Sequence, residues 1–99
     1  MDTAERLREE LSRRILVMDG AMGTMIQDVR LAEADFRGQR YRDHDRPLGG
    51  CSDILSLTRP DIIREIHRGF LAAGADIVET NSFTGTAPSL ADYGLADDV

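Results

Sequence analysis

The hydrophobic pattern divides the chain into short blocks with alternating character. Thr3 to Arg14 is charged, with Leu7 and Leu11 four residues apart, which predicts an amphipathic helix with Thr3 as its N-cap. Ile15 to Met18 is a short apolar run that stops at Asp19, and Gly20-Ala21-Met22-Gly23 follows at once. A run of this length between polar residues and glycine predicts a buried strand over Ile15 to Asp19. Ala21 to Val29 then predicts a helical turn. Leu31 to Ser52 is polar and charged and carries Gly38, Pro47, Gly49 and Gly50. It reads as a long excursion without regular structure, a kind of segment often used as a lid or binding loop. Pro60 opens the clearest helix, whose apolar face is Ile62, Ile63, Ile66, Phe70 and Leu71 and whose stop signal is Gly74. A second strand is expected over Asp76 to Thr80, and a short helix over Thr86 to Tyr93 ending near Gly94.

The order strand, loop, helix, strand, helix implies an α/β fold with a parallel sheet and right-handed crossovers. Both expected strands end in an acid, Asp19 and Glu79. Parallel sheets place ligands at that end. Asp19 beside the backbone N–H groups of Gly20, Ala21 and Met22 offers one acceptor for an ammonium and several donors for a carboxylate. Such a pair suits a zwitterion such as an amino acid. The competing reading is that Asp19 caps the following turn. Glu79, Thr80 and Asn81 would stand about 5 Å away on the neighbouring strand, either lining the same pocket or holding the rim loops.

Composition narrows the class. At 99 residues there is room for one small domain. The formal net charge is −6, which disfavours a nucleic-acid partner. No apolar stretch is long enough for a membrane span and the N-terminus lacks a secretory h-region, so a cytoplasmic protein is expected. Cys51 stands alone, so no internal disulfide is possible. Neither Cys51 nor His44 nor His67 has a metal-ligand spacing. His67 reads as a packing or surface residue, and Asp43-His44-Asp45 as a solvated loop. No P-loop or dinucleotide fingerprint is present. So few strands cannot close a barrel, and the chain is expected to be the first part of a longer protein.

Five ordered segments carry a resemblance. They are Val17 to Gln27, Asp35-Phe36-Arg37-Gly38, Asp53 to Asp61, Ala73 to Phe83, and Ala91-Asp92-Tyr93-Gly94-Leu95. Together they resemble the opening of the cobalamin-dependent methionine synthases, within the homocysteine S-methyltransferases. The resemblance implies the first strands and helices of a (β/α)8 TIM barrel, here incomplete, over residues 1–99. It implies methyl transfer from methylcobalamin to zinc-bound homocysteine, giving methionine. Zinc and cobalamin would be bound by residues outside this chain, and folate- and cobalamin-binding modules would follow downstream. Asp19 resembles the acid that holds the homocysteine amino group, with the backbone of Gly20, Ala21 and Met22 facing its carboxylate and Glu79, Thr80 and Asn81 at the pocket rim. Cys51 matches no ligand position. By the same resemblance the chain alone would be catalytically inert. A methyltransferase using betaine or S-methylmethionine, and a non-catalytic amino-acid-binding fragment, are the alternatives.

Overall fold

The computed structural model describes residues 2–99. Helices dominate: α1 (Thr3–Leu11), α2 (Met22–Val29), α3 (Glu33–Arg37), α4 (Leu55–Thr58), α5 (Pro60–Ala72) and α6 (Ala87–Ala91). Single 3-10 turns lie at Ser52–Ile54 and Ala96–Asp98.

The expected start of a (β/α)8 TIM barrel is not what forms. The chain is 51% helical with 2% strand, and no sheet is present among the described residues. The two segments expected as strands meet in one isolated parallel bridge, Met18 with Ile77. Its bonds are Asp19 N–H to Ile77 O at 2.9 Å and Ile77 N–H to Val17 O at 3.2 Å. Side chains stop the ladder at both ends. A longer parallel ladder would send the Glu79 N–H to a backbone carbonyl, but the Asp19 carboxylate takes it at 3.1 Å. At the other end the Asp76 carboxylate accepts the Val17 N–H at 3.0 Å. The apolar run is therefore not a buried strand: Val17 and Met18 are more than half exposed and Ile15 is 88% exposed.

Helix α5 forms as its sequence dictates. Pro60 occupies the first turn, and Ile62, Ile63 and Ile66 turn one face into the core. Phe70 is partly buried against that core, while Leu71 stays exposed. Gly74 has φ +112°. The Ala75 N–H reaches Phe70 O and the Gly74 N–H reaches Leu71 O, the paired bonds of a Schellman stop. Helix α1 is capped by Asp2 instead of Thr3, because the Asp2 carboxylate accepts the Glu5 N–H at 2.8 Å. It ends at Leu11 and buries no residue.

The polar excursion from Leu31 is pinned down. Leu48 and Cys51 belong to the core with Ile26, Phe36, Ile54 and Leu55, and Leu90 and Leu95 join them from the C-terminal end. Glu33 accepts the Leu48 and Gly49 N–H groups at 2.7 and 2.8 Å. Arg37 donates to the carbonyls of His44 at 2.7 Å and Arg46 at 3.0 Å. Gly38 has φ +56°, and a Cβ there would sit 3.2 Å from the Cβ of Thr58. Asp35 accepts the Ala32 N–H and pairs with Arg59 at 2.7 Å. Every residue of Asp35-Phe36-Arg37-Gly38 thus has a structural job in folding the excursion onto the core.

Candidate functional site

Asp19 ends the bridged segment, and its side chain is only 3% exposed. The two carboxylate oxygens have different surroundings. Oδ2 accepts the Glu79 N–H and lies 4.0 Å from His67 Nδ1. Oδ1 is buried without a hydrogen-bond partner. Leaving a carboxylate oxygen unpaired in a buried site is costly, and this chain supplies no partner for Oδ1. His67 Nδ1 is likewise buried and unpartnered.

The turn after Asp19 is shaped by α5. A Cβ on Gly20 would sit 3.1 and 3.3 Å from ring carbons of Phe70, so this position has room only for glycine. His67 precedes Phe70 by three residues, on the same face of α5. The face that meets Gly20 therefore also meets Asp19. His67 was the residue hidden in the sequence, where it reads as packing. The signal that could have found it is this register with Phe70. Ala21 is the N-cap of α2 and has no side-chain oxygen, so the first-turn amides of α2 carry no cap. Met22 packs partly against the core, and Gly20 and Ala21 are exposed.

The expected rim residues separate. Glu79 reaches Asp19 through its backbone N–H. The Thr80 and Ser82 hydroxyls bond each other at 2.6 Å. Asn81 turns toward α4, donating to Ser52 O at 2.8 Å and Ser56 Oγ at 3.2 Å. Thr84 donates to the Asp53 carboxylate on the same side. Thr80, Asn81, Ser82, Asp53 and Ser56 border a cavity of about 260 Å³ that also meets Leu57 and Leu90. Asp19 does not border it. A larger cavity, about 480 Å³, lies between α2 and α5 with Met25, Val29, Ile62 and Ile66 on its walls, and none of the polar residues near Asp19 reaches it.

The remaining reactive side chains have other roles. Cys51 is 2% exposed, and burial pushes its thiol above the usual value, which makes it a poor thiolate. His44 donates from Nε2 to Tyr93 O at 2.6 Å and is tied into the fold, whereas Asp43 and Asp45 beside it are solvated. Among the described residues no three His, Cys, Asp or Glu side chains gather as metal ligands. Among the described residues no helix is long and apolar enough to cross a membrane.

One buried carboxylate with an unpaired oxygen, next to uncapped backbone amides, can hold the two charged ends of an amino acid. A family model described as homocysteine S-methyltransferase matches residues 16–99, which include Asp19, the bridge, α2 to α6 and the Asn81 cluster. The match leaves out residues 1–15, which include α1, a helix that buries no residue. The chain belongs to the homocysteine S-methyltransferase family.

Proposed function

We propose that this chain supplies the amino-acid end of the homocysteine pocket in a cobalamin-dependent methionine synthase. The observation that carries the reading is Asp19, a carboxylate 3% exposed with Oδ1 unpaired. An α-ammonium at Oδ1 completes the site with a charge-assisted hydrogen bond. The uncapped first turn of α2, behind Gly20, Ala21 and Met22, supports the substrate carboxylate with N–H groups and the positive end of the helix. Glu79 steadies Asp19 from its backbone, while Thr80 and Asn81 border the separate cavity beside α4. In this reading zinc and cobalamin are held by residues outside this chain. By resemblance, the Phe36-Arg37-Gly38 and Asp92-Tyr93-Gly94-Leu95 segments favour the cobalamin type over betaine- or S-methylmethionine-dependent enzymes.

The test is calorimetric titration of the full-length protein with homocysteine and with its analogue lacking the α-amino group. Asp19→Asn is expected to weaken homocysteine by at least about tenfold, since hydrogen bonds to charged groups contribute roughly 1.5–3 kcal/mol. The deaminated analogue should bind parent and variant alike. Equal homocysteine affinity in the two proteins would remove Asp19 from the pocket. Turnover with betaine or S-methylmethionine in place of methylcobalamin would replace the proposed donor.

A further inference from the structure

We infer that His67 is a positioning residue for Asp19, holding its carboxylate so that Oδ1 faces the substrate. The inference rests on the reading of Asp19 as the ammonium acceptor.

The geometry has three parts. Oδ2 is the anchored oxygen: the Glu79 N–H donates to it, and His67 Nδ1 approaches it at 4.0 Å. Oδ1 is the free oxygen, buried and unpaired. His67 Nδ1 is itself buried with no partner. A separation of 4.0 Å is too long for a hydrogen bond, yet His67 Nδ1 and the Asp19 side chain are both buried. An approach of about 1 Å brings them to bonding distance and relieves the unpaired nitrogen. A single backbone donor leaves a carboxylate free to swivel about its last torsion, because such torsions have broad wells. A second donor on the same oxygen fixes the plane and so the direction of Oδ1.

The position of His67 makes it suitable for this. It lies on α5, whose neighbouring residues Ile63 and Ile66 are in the core and whose Phe70 packs on Gly20. A donor mounted on the longest helix of the molecule is held more rigidly than one on a loop. His67 also borders a groove of about 300 Å³ with Ser56, Pro60, Ile63 and Arg64, so one edge of the ring meets solvent while Nδ1 does not. Nδ1, the nitrogen toward Asp19, is thus the one shielded from solvent.

The experiment compares homocysteine affinity of the full-length protein in the parent, Asp19→Asn, His67→Leu and His67→Asn. The Asn amide offers a donor where Nδ1 stands, and Leu offers none. His67→Leu is expected to lose about tenfold in affinity and His67→Asn to recover most of it. Nitrogen NMR of the His67 ring in the parent gives a second readout that needs no His67 variant to fold. Nδ1 should be protonated, and its resonance should move in Asp19→Asn. If Asp19→Asn weakens binding but His67→Leu does not, the positioning role is wrong and the Asp19 reading stands. Equal losses in His67→Leu and His67→Asn would reduce His67 to packing. An Nδ1 resonance unmoved by Asp19→Asn would also overturn the inference. Unchanged binding in Asp19→Asn would remove the underlying reading itself, and the positioning role with it.

Discussion

Gly20 is the residue on which the turn beside Asp19 closes. Its missing side chain lets the Phe70 ring lie against the backbone, and that contact registers α5 against the acid. Gly20→Ala places a methyl group 3.1 Å from the ring, so either Phe70 or the turn must move. Overpacking of this kind costs about 1–3 kcal/mol. The expected result is a lower melting temperature in circular dichroism, with homocysteine binding weakened as His67 shifts from Asp19. Adding Phe70→Leu should restore much of the lost stability, because the smaller side chain vacates the space. A Gly20→Ala protein that melts with the parent would show that the ring yields freely. The sequence made Asp19 legible as an acid after an apolar run, and its glycine neighbours legible as a close approach. It did not show that Glu79 acts through its amide, or that Asn81 braces Ser52 and Ser56. Those contacts join residues far apart in the chain, and no local spacing encodes them.

At the level of elements, local signals were read well and pairing was not. Helix α5 carries its start and its stop within fifteen residues from Pro60 to Gly74, and both are found where expected; of its apolar face Ile62, Ile63 and Ile66 are buried, Phe70 is partly buried and Leu71 is exposed. The strands had the right apolar composition, but a strand exists only through a partner. Here Asp76 and Asp19 intercept the amides that would extend the ladder. The excursion from Leu31 was read as loop because its polar residues mask Glu33 and Arg37, which bind backbone instead of water. Glu33 also sets an acid sensitivity. The Leu48 N–H, chiefly, together with the Gly49 N–H and Arg37, holds its carboxyl below the ordinary value of 4.5. A carboxyl lowered in the folded state stabilises it above the unfolded value, and that contribution disappears as pH falls through the folded one. Stability should therefore drop on acidification below about 4.5. Glu33→Gln should melt lower at pH 7, since the fully buried Leu48 loses a charged acceptor at a cost of roughly 1–2 kcal/mol. The same variant should show a flatter acid limb. Parallel acid limbs in thermal melts of the two proteins would exclude Glu33 as a source of the sensitivity.

The whole molecule is more open than its length requires. A compact protein of 11.0 kDa exposes about 5,600 Å², whereas this chain exposes 6991 Å². Its radius of gyration is 16.1 Å, against about 13 Å for a compact chain of this size. The excess has a chemical identity. Ile15 and Phe83 are 88% and 99% exposed, and Val17 and Met18 are more than half exposed. Exposed apolar side chains gathered on a surface favour association. The 99-residue chain by itself is therefore expected to sediment as larger species when its concentration is raised. Ile15→Thr with Phe83→Ser should reduce that association. The double variant should melt within about 0.5 kcal/mol of the parent, the usual range for exposed positions, because neither side chain contributes to the core. Sedimentation velocity separates the possibilities. A single monomeric species at every concentration would mean that charge repulsion from the net −6 outweighs the apolar surface. Added salt would then have to bring association back, since screening removes repulsion and leaves the hydrophobic attraction in place.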